Sequence, residues 1–163
     1  MTDALIEIEV EDETWRDAVA DVESVVDRAA RAALSAVSAE APCDRELVIL
    51  LADDEAVRDL NARFRDKDRP TNVLSFPAPD TPPGFPPGPL GDIVLASGVC
   101  GREAADQGKS VQNHLTHLVV HGVLHLLGRD HMVEAEAEAM EAEERAILAE
   151  LGVSDPYEVI DDG

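Results

Sequence analysis

HGVLHLLGRDH, residues 121–131, is the stretch from which this chain is best read. It closes an apolar run that starts near Val111, and that run predicts a helix from about Ser110 to Leu127. On such a helix His121 and His125 lie four residues apart and point the same way. Gly128 can take a left-handed conformation, so it can end the helix and turn the chain back, bringing His131 up as a third imidazole. Two histidines at this spacing arise often by chance. A third histidine and a glycine hinge within the same eleven residues are what a metal site needs. Three nitrogen ligands leave a fourth zinc position open, which separates a catalytic from a structural site. The expected set is therefore His121, His125 and His131 around one Zn2+ ion per chain, although nickel, cobalt or copper would accept the same donors.

Upstream of this helix the pattern changes period several times. Ile6, Ile8 and Val10 alternate with Glu7 and Glu9, which predicts a strand with one face buried. Trp15, Val19, Val22, Val26, Ala30, Leu34 and Val37 follow at spacings of three and four, predicting one amphipathic helix that stops before Pro42. Leu47 to Leu51 is a short apolar run without polar alternation and suits a strand covered on both sides. Asp53 is the expected N-cap of a helix whose inward stripe is Val57, Leu60 and Phe64 and which Pro70 closes. Strands are predicted at Val73 to Phe76 and Ile93 to Ala96, separated by a proline-rich loop at 77–90 that either flanks a cleft or merely connects. A short helix near Val99 to Gln107 precedes the histidine helix, and a last one runs from about Val133 to Leu151 with Gly152 as its stop. The expectation is one α+β domain over residues 1–163, a small mixed four-stranded sheet with about five helices packed on it.

Composition bounds the answer further. A chain of 163 residues suits one domain with a real core. Its two cysteines, Cys43 and Cys100, form no CxxC pattern, so a reducing cytoplasm is expected. The N-terminus lacks the positive start and apolar run of a signal peptide, and no stretch approaches membrane-spanning length. A net charge of −22 argues at first against a nucleic-acid partner. The distribution answers this, because Arg58, Arg63, Arg65, Lys67 and Arg69 fall within twelve positions while eleven acidic residues crowd Glu134 to Asp162. The first group reads as an RNA-facing patch or as a solvated helix end, and the second as a solvated helix face.

Gly122 narrows the chemistry. In the HExxH motif of zinc proteases that position holds the glutamate that acts as general base. HGVLHLLGRDH is instead similar to the signature of the YbeY family of metal-dependent bacterial endoribonucleases. RDKDRPTNVLSFP at 65–77 and LGDIV at 90–94 resemble the family's other motifs, in the same order and nearly end to end. The resemblance implies a single-strand-specific, zinc-dependent endoribonuclease that acts in 16S rRNA 3′-end maturation and ribosome quality control, with rRNA and the small ribosomal subunit as partners.

Arg65 is the expected catalytic cation, since a planar guanidinium can hold two phosphoryl oxygens and the resemblance marks the same position. His121 is expected to act through the metal. His114, His117, His121 and His125 share one helix face, so His117 is expected to line the groove or support a ligand, and His114 to do so or simply to pack. Asp130 can orient an imidazole or cap the last helix. Asp92 is a candidate support for the site, and Arg63, Lys67 and Arg69 are candidate RNA contacts. Chemistry that activates the attacking water falls to the metal or to an acidic residue elsewhere in the chain. Two competing classes are a metal-dependent peptidase or amidase, and a non-catalytic ribosome-associated metal-binding protein.

Overall fold

A computed structural model describes residues 6–37, 46–77, 90–126 and 134–153. The elements are β1 (Ile6–Val10), α1 (Thr14–Ala18), α2 (Val22–Val37), β2 (Leu47–Ala52), α3 (Asp54–Arg65), β3 (Val73–Pro77), β4 (Gly91–Ala96), α4 (Ser97–Asp106), α5 (Val111–Leu126) and α6 (Glu134–Glu150). The four strands form one mixed sheet in the order β1-β2-β4-β3. β1, β2 and β4 run parallel, and β3 lies antiparallel on the edge of β4. The expected α+β domain is therefore present, with five longer helices and the single-turn α1.

Strand alternation sends side chains to two unequal layers. Leu47, Ile49, Leu51, Ile93 and Leu95 face the main core with Leu115, Val119 and Val123 of α5. Ala29, Ala30 and Ala33, fully buried on α2, let that helix lie close against the same layer. α5 is thus held between the sheet, α2 and α6. On the opposite face Val57 of α3 packs with Ala52, Leu74, Val94 and Ala96. This second layer covers only part of the sheet, so Val48 and Leu50 remain half-buried and β2 is not covered evenly on both sides as its apolar run suggests.

Other local expectations shift for identifiable reasons. The helix predicted from Trp15 to before Pro42 is two helices, because Val19 is extended and Asp21 takes a left-handed φ of 50°. The break lets Trp15 turn inward, where its indole N–H donates to the Ala52 carbonyl at 2.9 Å. Asp53 does cap α3, accepting from Ala56 N at 2.8 Å. That helix ends at Arg65, well before Pro70, on Asp66 with φ 58°. Phe64 is 67% exposed instead of lying on the inward stripe, and it meets Phe76 edge to face. Gly152, with φ 78°, ends the last helix as expected.

Candidate metal and nucleic-acid cleft

The C-terminal half of α5 opens on a cleft of about 490 Å³ lined by His121, His125, Arg65, Lys67, Arg69, Asn72, Ser75 and Glu103 among others. Two of the three expected ligands thus share a cavity with the expected phosphate-binding arginine. His131 and Asp130, like Gly128 and the proline-rich segment 78–89, lie outside the described residues. Among the described residues no group of three or more His, Cys, Asp or Glu side chains is arranged to hold a metal ion.

What supports the histidines is a residue that sequence reasoning assigned to a solvated face. Glu144 of α6 is fully buried. Its Oε1 lies 2.6 Å from His121 Nδ1, and its Oε2 lies 3.2 Å from His117 Nε2. A carboxylate behind Nδ1 favours the tautomer that carries the proton there and orients the ring. The acidic helix is therefore not wholly a solvated surface. A signal was present, since Glu144 stands three and four residues before Ile147 and Leu148, the buried stripe of α6.

Arg65 reaches the cleft around an edge strand. Its Nη2 donates to the Ser75 carbonyl at 2.7 Å, and its guanidinium carbon sits 5.5 Å from the centre of the Phe76 ring. The basic run divides at this point. Arg58 pairs with Asp68 at 2.8 Å, which holds the Asp68 carboxyl below its usual range, and Arg63 pairs with Asp59 at 3.2 Å. Arg65, Lys67 and Arg69 line the cleft and make no carboxylate pair among the described residues. Buried Asn61 donates to the Arg69 carbonyl at 2.8 Å and so fixes the loop that presents the last two. Arg63 is thus placed away from the other two candidate RNA contacts. Asp92 sits on the far face of the sheet, in a separate groove with Glu9, Leu50, Phe64 and Phe76.

Deeper along α5, His114 Nε2 lies 2.9 Å from Glu103 Oε1, which also accepts from Asn72 Nδ2 at 3.0 Å. Burial lowers the pKa of His114, although Glu103 pulls it upward. Cys100 beneath them is buried and free, its thiol pushed up to about 12 by desolvation, so it offers no nucleophile. Gly122 lies against the sheet. A β-carbon there would stand 3.1 Å from Ile93 Cδ1 and 3.3 Å from Ser75 Oγ, so a side chain at the position that holds the base in zinc proteases would press against the sheet.

A family profile described as Endoribonuclease YbeY matches residues 7–152. Relatives bearing the same description are 51% identical in Azorhizobium caulinodans, covering 93% of this chain and 95% of that protein, and 52% identical in Rhodopseudomonas palustris, covering 93% and 80%. A third, from a Chelativorans species, is 55% identical over 82% of this chain and 81% of its own length. The solution structure of TM1509 from Thermotoga maritima shares the fold with a TM-score of 0.57 at 22% identity, over 94% of this chain and 99% of that one.

Proposed function

This chain belongs to the endoribonuclease YbeY family, and on that premise we propose that its cleft cuts single-stranded RNA with one zinc ion held by His121, His125 and His131. The observation that carries the reading is the Glu144 carboxylate behind His121 in a cleft that also receives Arg65. The donor set fits a metal, because the Glu144 carboxylate orients the His121 ring through Nδ1 and His125 follows one turn later on the same face. Zinc bound there would supply Lewis-acid polarisation of the scissile phosphate. Arg65 holds the phosphate's developing charge, with one N–H anchored on Ser75 and the rest of its fork available. Lys67 and Arg69 track the neighbouring backbone phosphates. Among the described residues no Phe, Tyr or Trp lines the cleft, which supports selection of single strands by groove shape and charge.

The biological substrate we assign is small-subunit rRNA, in 16S 3′-end maturation and ribosome quality control within a reducing cytoplasm. The motif resemblance and the basic cleft support that assignment. No helix among the described residues is long and apolar enough to cross a membrane.

Metal analysis paired with cleavage of rRNA-like single strands and duplexes tests the reading. One zinc per chain and preferential cutting of single strands is the expected result. A zinc-loaded protein that cut peptides but left unstructured RNA intact would sink it. In Arg65→Ala, metal content should persist while cleavage falls by about 10²-fold or more; loss of metal would remove the role given to Arg65.

A further inference from the structure

We infer that Glu103 is the general base of this cleft, with Asn72 and His114 as the residues that aim it. The inference rests on the endoribonuclease reading above and supplies the proton acceptor that the histidine motif lacks. Among the described residues, Glu103 is the only carboxylate lining the cleft that holds His121, His125 and Arg65. Hydrolysis of a phosphodiester needs a group within hydrogen-bond reach of the attacking water, and geometry selects the candidate before pKa does.

The carboxylate is held in one orientation. Oε1 takes both donors, Asn72 Nδ2 at 3.0 Å and His114 Nε2 at 2.9 Å. Asn72 is itself fixed, because its Oδ1 accepts from Val73 N at 2.7 Å, which settles which end of the amide faces Glu103. Buried His114 Nδ1 has no hydrogen-bond partner among the described residues. A buried lone pair costs less to leave unpaired than a buried N–H, so the proton sits on Nε2 and points at Glu103. Among the described residues no hydrogen bond claims Oε2, and the side chain keeps 34% of its surface exposed. A carboxylate serving only to pair with buried His114 would gain nothing from an opening on the cleft.

The step balances simply. Water oxygen forms a bond to phosphorus as its proton passes to Glu103 Oε2, and the bond from phosphorus to one ribose oxygen breaks. The departing alkoxide takes a proton from solvent, and Glu103 returns its own to solvent afterwards.

The test compares wild type, Glu103→Gln and Glu103→Ala, each loaded with zinc, on a fluorescent single-stranded RNA. Glutamine keeps an oxygen for Asn72 and His114, so unfolding temperature, bound zinc and RNA binding should stay near wild type while turnover falls by about 10²-fold or more. Added formate should restore part of the turnover of Glu103→Ala, since a small carboxylate can occupy the vacated space; a residue that only supports the fold gives no such rescue. If wild type cuts RNA and Glu103→Gln cuts within a few-fold of it, or loses zinc along with activity, Glu103 is not the base and the functional reading stands. If zinc-loaded wild type cuts no RNA, both fall together.

Discussion

Burying a carboxylate costs several kcal/mol unless donors surround it, and Glu144 meets that requirement with His117 and His121. The same contacts that stabilise the charge orient the His121 ring, so on the proposed reading stability and metal affinity are coupled at this residue. Glu144→Gln should weaken zinc binding about 10- to 100-fold in competition with a chromogenic chelator; unchanged affinity would leave Glu144 with a packing role only. His114 gives a pH signature. Its folded pKa lies below the ordinary 6.5 because burial disfavours the cation, so the unfolded chain binds more protons in that range. The stability contribution is present above the ordinary value and is lost as pH falls through it. Unfolding temperature should therefore drop between about pH 7 and pH 5, and His114→Gln should drop less. Parallel curves for the two proteins would assign the loss to other groups. That His121, His125 and Arg65 share one cleft was legible in the sequence, because spacing and motif mark them. Glu144 was not, since an acidic residue in an acidic helix looks solvated until the partner helix is known, and Glu103 was not, since its partners Asn72 and His114 lie on other segments.

At the scale of elements, the cleft depends on how closely α5 lies on the sheet. Gly122 sets that approach, with Ile93 and Ser75 directly beneath it. Gly122→Leu should destabilise the protein by about 1–3 kcal/mol through overpacking, read as a lowered midpoint in chemical denaturation. An unchanged midpoint would mean that the helix can lift without cost. α3 and α4 are tied to each other at their N-termini. Asp54 accepts from Val99 N at 3.0 Å and from Arg102 at 3.0 Å, so the helices that deliver Arg65 and Glu103 keep a fixed spacing. Strands and most helices could be read from periodicity. The division between α1 and α2 could not, because neither glycine nor proline marks it and the turn falls on a left-handed aspartate, Asp21, between buried Trp15 and Val22. The stop of α3 was misplaced for a related reason, since a left-handed aspartate ended the helix before proline had to.

For the molecule as a whole, a net charge of −22 faces a polyanionic substrate. The structure places three cations in the cleft, Arg65, Lys67 and Arg69, that make no carboxylate pair among the described residues. Three phosphate contacts on a single strand give a salt slope of about −2 in log K against log concentration. Screening of repulsion from the acidic body acts in the opposite sense, so the measured slope should be shallower, and Lys67→Ala or Arg69→Ala should each reduce it by about 0.7. A slope near that of a strongly basic RNA-binding protein would contradict this arrangement. Total charge was a poor guide to partner because it averages over surfaces that never meet the ligand. The fold class needed only element order, whereas the site needed contacts between residues far apart in the chain. Glu144 follows His121 by 23 positions, on a later helix. During synthesis the sheet and α5 leave the ribosome first. Until α6 has followed them, the His121 imidazole of a nascent chain has no Glu144 carboxylate behind it, so on the proposed reading metal affinity reaches its full value only once the last helix has docked.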